Sequence, residues 1–436
     1  MAELTVAKKI RKRKITTPNF IYSVLGWAWK TFVAGPYNVH YKFECDIKND
    51  KGSYFLIGNH ASRLDYIFTG VPMLPTRMNY VAGYNEFHRS HLALVFELLQ
   101  VIPKKNFVPD IHTINSIHSV LDKGGRVVIF PEGMSSISGA NQPIVAGSGK
   151  LFKHFKVPVY YTIIKGGYLT SPKYNLKDRH GRVEVEFRKL FTSEELEALT
   201  VEEIEDKINE ALYHDDYAWN KVAQNHYDIG ENGAEHLEDL LFWCPKCKKQ
   251  HVMKTEGNKI FCTVCGNGAT LTDTYELVPF DDTCVIPETQ TAWFNMEREV
   301  IKEEVKDESF ELCEEVELGM LPDFELLKNQ KTSEIVGSGK LTLNRDGLTY
   351  DGTKCGEPFS FHIEPKNLPT YGMCTDVSRF YTFYKGEFVE FYPKHNVVEK
   401  FFLATEEIHR LTGGSWQDFK FDKNSYATAN QGSHSA

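Results

Sequence analysis

Tyr54-Phe55-Leu56-Ile57-Gly58-Asn59-His60-Ala61-Ser62-Arg63-Leu64-Asp65 is an apolar run that ends on a histidine, with a carboxylate five residues further on. Some seventy residues later, Gly125-Arg126-Val127-Val128-Ile129-Phe130 runs straight into Pro131-Glu132-Gly133. Short apolar runs bounded by turn residues read as buried strands. Each therefore delivers a reactive polar group at a strand end: first the histidine and its carboxylate, then a glutamate. An unperturbed imidazole is half protonated near pH ~6.5 and alone is a mediocre base. A carboxylate bonded to one ring nitrogen fixes the tautomer and leaves the other nitrogen free to take a proton from a hydroxyl. This predicts His60 at the C-terminal end of a strand and Asp65 in the first turn of the next helix, with Ser62 or Asp65 as its cap. No serine or cysteine stands in a Gly-x-Ser-x-Gly elbow, so the base is expected to activate a substrate hydroxyl directly.

A proline stop and a turn glycine do not require a glutamate between them. The pair of motifs, Asn-His-x4-Asp and then Phe-Pro-Glu-Gly, resembles the glycerolipid acyltransferase family, whose typical member is 1-acylglycerol-3-phosphate acyltransferase. The resemblance covers about residues 35 to 215. It takes in Val101-Ile102-Pro103-Lys104 and Val157-Pro158-Val159-Tyr160. It implies His60 as general base, Asp65 as its orienting partner, and Glu132 as a third catalytic group that binds or orients the acceptor near the N–H groups of the Gly133 turn. Asn59, Arg63, Lys104, Gly133 and Ser135 are the candidate substrate-binding residues. Lys104 falls where the family has an arginine that grips the acceptor's phosphate; a lysine does this as a point charge, not bidentately.

The chain departs from the family at Met134 and Ser135, where the pattern Phe-Pro-Glu-Gly-Thr-Arg-Ser has a threonine and a second phosphate-binding arginine. Lys105, Arg63 and Lys150 are candidates to compensate. The implied reaction moves a fatty acyl group from acyl-carrier protein or coenzyme A to a lyso-glycerolipid hydroxyl, first of all 1-acylglycerol 3-phosphate. The departure keeps open another acceptor (glycerol 3-phosphate or an amino-acid lipid), or a non-catalytic membrane lipid-binding adaptor.

The chain has 436 residues, enough for about three domains, and is 42% hydrophobic. Its net charge of −9 argues against nucleic acid as a partner. Between the motifs, strand patterns (79–82, 181–187) alternate with helical ones (91–99, 111–121, and a capped acidic helix over 193–212 with a Thr200/Glu203 capping box). Such alternation predicts an α/β fold, a layered sheet-and-helix domain over 35–215 with its site at strand ends. No organic cofactor is called for.

Residues 1–34 read differently. Lys8, Lys9, Arg11, Lys12, Arg13 and Lys14 precede an apolar stretch from Phe20 to Ala34 that is too short to span a bilayer and is interrupted by Lys30. On a helical wheel Asn19, Tyr22, Ser23, Gly26 and Lys30 share a narrow face, and aromatic and aliphatic residues cover the rest. The expectation is a helix lying on an anionic membrane surface, peripheral or monotopic, on the cytoplasmic face of the cell membrane.

Cys244-Pro245-Lys246-Cys247 and Cys262-Thr263-Val264-Cys265 are two knuckles that suit tetrahedral, structural zinc and resemble a zinc ribbon within 216–284. Lys246, Lys248, Lys249 and Lys254 form a small basic patch, read as a solvated or domain-docking face. Residues 285–335 are acidic and are expected as a linker or solvated helix. Residues 336–424 alternate as strands (339–343, 347–350, 359–363, 380–384, 388–392) closed by a helix over 405–411 capped by Thr405. That order is similar to a pleckstrin-homology-like barrel, which implies lipid binding, packing or dimerisation. Residues 425–436 lack a core pattern and are expected to be disordered.

Overall fold

The computed structural model describes residues 4–328, 331–374, 376–421 and 423; the tail expected over 425–436 lies outside them. Seven strands, β1 (Asn38–Phe43), β2 (Tyr54–Gly58), β3 (Asn79–Gly83), β4 (Ile102–Lys104), β5 (Arg126–Ile129), β6 (Val159–Lys165) and β7 (Arg182–Phe191), make one sheet. Their order is β1-β7-β6-β2-β5-β3-β4. The strands from β6 to β4 are parallel, β7 runs antiparallel to β6, and β1 lies parallel to β7. The two motif strands β2 and β5 are central neighbours. Both are covered on both faces, which is why they read as continuous apolar runs and do not alternate.

Helices α1 (Val6–Lys12), α2 (Ile21–Trp29), α3 (Asp65–Gly70), α4 (Ser90–Leu98) and α5 (Ile111–Leu121) precede β5. After it come α6 (Ser148–Phe155), α7 (Gly167–Thr170), α8 (Ser193–Ala198), α9 (Val201–Leu212) and α10 (Asp216–Ala223). Phe55, Ile57, Val127 and Ile129 pack with Ile117 of α5, Phe152 of α6 and Ile204 of α9. Leu56 and Val128 pack on the opposite face, with Phe68 of α3. Each buried side chain of this size contributes about 1.5–3 kcal/mol. The single acidic helix expected over 193–212 is two helices. Thr192 with Glu195, and Thr200 with Glu203, each form a complete capping box, so a new N-terminus starts at Thr200.

The N-terminal segment turns its wheel inside out. Tyr22 and Gly26, from the narrow face, are buried, and a Cβ at Gly26 would come within 2.7 Å of Leu74. Phe20, Val24, Trp27 and Phe32 point outward, Phe20 71% and Phe32 79% exposed. A π turn (Lys30–Ala34) extends α2. No helix among the described residues is long and apolar enough to cross a membrane.

The two cysteine knuckles sit on a four-stranded antiparallel sheet of β8 (Met253–Glu256), β9 (Lys259–Cys262), β10 (Gly268–Leu271) and β11 (Leu277–Pro279). This small sheet shares the main core. Buried Arg179 ties it down, donating to the Tyr275 hydroxyl (2.5 Å) and the Gly233 carbonyl (2.6 Å).

The acidic stretch 285–335 is not a linker. Helix α11 (Gln290–Glu304) buries Trp293, Phe294, Glu297 and Ile301 along one face. Strand β12 (Glu311–Met320) then lies at the middle of a seven-stranded antiparallel sheet, paired with β13 (Glu334–Asn344) and β18 (Glu387–Pro393). Its acids Glu311, Glu315 and Glu317 are the exposed face of a two-residue repeat whose other face buries Val316 and Leu318. The sheet is completed by β14 (Gly347–Lys354), β15 (Glu357–Ile363), β16 (Gly372–Met373) and β17 (Phe380–Tyr384), in the order β15-β14-β13-β12-β18-β17-β16. Helix α12 (Val398–Leu411) closes it and starts earlier than expected. Thr405 is inside the helix, with its hydroxyl donating to Tyr371, and caps nothing.

Candidate active site

Ile57 of β2 pairs with Ile129 of β5. His60 and Glu132 each stand three residues beyond that pair, so the sheet register brings them out side by side. The His60 Nδ1 lies 2.8 Å from the Asp65 Oδ2. Asp65 is 1% exposed and also accepts the Ser62 N–H and hydroxyl, so the loop from 60 to 65 is wound about one carboxylate. Asp65 opens α3, whose N-cap Leu64 makes no side-chain cap; Ser62 ties to Asp65 instead of capping. Burial pushes the Asp65 carboxyl up, opposed by the bonds from His60 and Ser62. The His60 side chain keeps 25% exposure and stacks on Phe130 at 4.7 Å. An imidazole held through Nδ1 in this way presents Nε2 as the proton acceptor.

Glu132 is held by three N–H donors. Its Oε1 accepts the His60 backbone N–H (2.7 Å) and the Asn141 amide (2.6 Å), and its Oε2 accepts the Gln142 N–H (3.1 Å). Burial pushes this carboxyl up to about 8, against three N–H donors that favour its ionised form. Glu132 thereby braces the loop that carries His60.

The other residues expected to bind substrate make the following contacts within the protein. Both ends of the Asn59 amide pair with the backbone of Ile164, locking β2 to β6. Arg63 is bound to Asp178 (2.5 Å) and the Leu176 carbonyl (2.7 Å). The Gly133 N–H donates to Phe130 and its carbonyl accepts from Asn106, so the turn is closed upon itself. Its φ of +82° and the 2.9 Å approach of Phe107 to a Cβ there explain the glycine. Ser135 accepts a hydrogen bond from the Lys173 ammonium at 3.1 Å. Lys104, at the end of β4, donates only to the Lys105 carbonyl (3.3 Å) among the described residues. Of the three compensating candidates, Lys150 is exposed on α6, Lys105 is bonded to the Gly386 carbonyl, and Arg63 is paired as above.

Residues 38–165 match the Acyltransferase family model. The chain carries an acyltransferase domain. No curated protein matches it. Among solved structures it is similar to the 1-acyl-sn-glycerophosphate acyltransferase PlsC from Thermotoga maritima, at 16% identity and a TM-score of 0.37, covering 47% of this chain and 78% of that one. The acyltransferase domain holds its histidine with residues that motif reading missed. Asn141 and Gln142 lie in an irregular loop with no periodic signal, and Lys173 follows a proline far from either motif. Buried Lys173 makes no ion pair among the described residues, and its loss of solvent pulls its ammonium down to about 8.

The Sγ atoms of Cys244, Cys247, Cys262 and Cys265 lie within 4.8 Å of one another, with two cross-knuckle separations of 3.7 Å. Four thiolates at about 2.3 Å from a central ion sit at such an edge length in a tetrahedron. The donor set fits a zinc-type metal centre.

Proposed function

We propose that the protein transfers a fatty acyl group from acyl-carrier protein or coenzyme A to the free hydroxyl of a lyso-glycerolipid, with 1-acylglycerol 3-phosphate as the first acceptor to test. The observation that carries this reading is the 2.8 Å bond between buried Asp65 and a partly exposed His60, inside an acyltransferase-family segment. His60 Nε2 takes the proton of the acceptor hydroxyl as its oxygen attacks the thioester carbonyl. The C–S bond breaks, an ester C–O bond forms, and the proton passes on to the leaving thiolate. Lys104 supplies the cation nearest to the family's phosphate-binding position. With Ser135 bonded to Lys173, an amino-acid lipid is a further acceptor to try, and glycerol 3-phosphate tests the phosphate without the acyl chain.

The outward Phe20, Val24, Trp27 and Phe32, close in sequence to exposed Lys8, Lys9 and Lys12, support peripheral attachment to an anionic lipid surface on the cytoplasmic side of the cell membrane. The four thiolates are read as a structural zinc site, since four sulfur ligands leave no open position for catalysis. The deciding assay mixes detergent-solubilised protein, acyl-coenzyme A or acyl-carrier protein, and 1-acylglycerol 3-phosphate, and follows free thiol beside His60→Ala. Acceptor-dependent release that the variant lacks supports the reading; equal release from both proteins sinks it.

A further inference from the structure

A cavity of about 860 Å³ lies between the acyltransferase domain and the C-terminal sheet. Its floor is apolar: Ile117 of α5, Ile129 of β5 and Phe152 of α6. It reaches the catalytic turn at Pro131, one residue from the Phe130 ring that stacks on His60. The facing wall is foreign to that domain, being Ile363, Phe383, Tyr384 and Trp416 of the C-terminal region. The volume falls in the range of ligand pockets, which are mostly apolar with a few placed polar groups.

Half-buried Lys104 lines this cleft, and its ammonium makes only a 3.3 Å bond to the Lys105 carbonyl among the described residues. It is a donor, so an acceptor oxygen in the cleft suits it. Lys366 and Lys385 line the cleft from the C-terminal side and are exposed, with Asp110 and Glu364 as the acids among its lining residues.

The wall is also fixed. Lys105 donates to the Gly386 carbonyl and its ammonium lies over the Phe383 ring. The Asn106 amide bridges the Gly133 carbonyl (2.9 Å) and the Tyr381 hydroxyl (3.3 Å). The hairpin between β17 and β18 is thus pinned to the turn beside the base.

We propose that the C-terminal sheet is the second wall of an acyl-thioester cleft, in which Ile363, Phe383 and Trp416 select the chain length and Lys366 and Lys385 meet the phosphate of the phosphopantetheine arm. This rests on the acyl-transfer reading above. An apolar chain fits the floor, and the phosphate of the arm suits the ammonium groups of Lys104, Lys366 and Lys385 that line the cleft. Coenzyme A and carrier protein share that arm, so both thioesters belong in the test.

The experiment uses the full-length His60→Ala protein, which binds without turnover, and calorimetric titration with palmitoyl- and octanoyl-coenzyme A and palmitoyl-carrier protein. Ile363→Trp is expected to lower the ratio of palmitoyl to octanoyl affinity about tenfold. Lys366→Glu/Lys385→Glu is expected to weaken the coenzyme A thioesters at low salt and to leave palmitoyl-pantetheine, which lacks phosphate, unaffected. Palmitoyl-carrier protein weakened with the coenzyme A thioesters fits an arm common to both donors; a loss confined to coenzyme A assigns the cleft to that donor. Thermal midpoints confirm folding, and Tyr384→Ala replaces Ile363→Trp if that variant does not fold. An unchanged palmitoyl-to-octanoyl ratio in the folded wall variants overturns the proposal even if wild-type turnover is normal. A shifted ratio with no turnover in wild type keeps the cleft and removes the acyl-transfer reading instead.

Discussion

Glu132 accepts the backbone N–H of His60 at 2.7 Å, so the second motif physically holds the loop that carries the first. Glu132→Ala leaves three N–H donors unpaired in a buried place, at a cost of about 2–5 kcal/mol. The expected outcome is a lower urea midpoint and a reduced kcat, with acceptor KM little changed. A normal kcat with raised KM would instead return Glu132 to acceptor binding.

His60→Ala and Asp65→Asn test the pair itself. General-base catalysis is worth about 10²–10⁴ in rate. His60→Ala is expected to lose that much kcat/KM while its thermal midpoint stays near wild type, because the ring is partly exposed. Asp65→Asn is expected to lose most of the same factor through the wrong tautomer, read by thiol release across a pH series.

Lys173 gives a pH dependence with a definite sign. Its ammonium falls from 10.5 to about 8 in the folded state through loss of solvent. Between these values the unfolded chain binds more protons, so this group makes stability rise with pH. Below pH 8 its burial costs the full difference, about 3 kcal/mol. Lys173→Met is therefore expected to raise the unfolding midpoint most at pH 7, with the gain fading towards pH 10.5. A gain that is equal at both ends would show that packing alone is responsible.

The cysteine cluster shares the main core, so a metal bound there is expected to stabilise the whole chain. Zinc-ribbon binding energy is folding energy. Strong chelator, or Cys262→Ser, is expected to remove at least about 3 kcal/mol from the protein. Calorimetry alongside metal analysis checks this; a chelated protein with an unshifted midpoint would refute it.

Membrane attachment is tested by Trp27→Ser/Phe32→Ser. Two exposed side chains of this size contribute at least about 1.5 kcal/mol each on leaving water. A drop in vesicle binding of tenfold or more is expected, with salt weakening the wild type further on anionic lipid.

The two motif strands and their neighbouring positions were legible because burial on both faces leaves a plain apolar run, and because His60, Asp65 and Glu132 each end or follow one. The alternation of the C-terminal strands was equally plain. Strand β12 was hidden because its acids were counted as charge; taken two by two, Val316 and Leu318 mark its inner face. The hydrogen-bond partners of Asn59, Arg63 and Glu132 were not legible. A polar residue beside a base has the same letter whether it meets substrate or a backbone group of β6, and only the partner distances separate the two.

The pairing of Ile57 with Ile129 sets the separation of His60 and Glu132 from the sheet. The cations at the end of β4, Lys104 and Lys105, lie outside that measurement and can change without moving His60 relative to Glu132. If acceptor binding rests on those cations, acceptor choice and the geometry around His60 are separable. The former is then free to vary along a loop, while the latter stays tied to the spacing of two neighbouring strands.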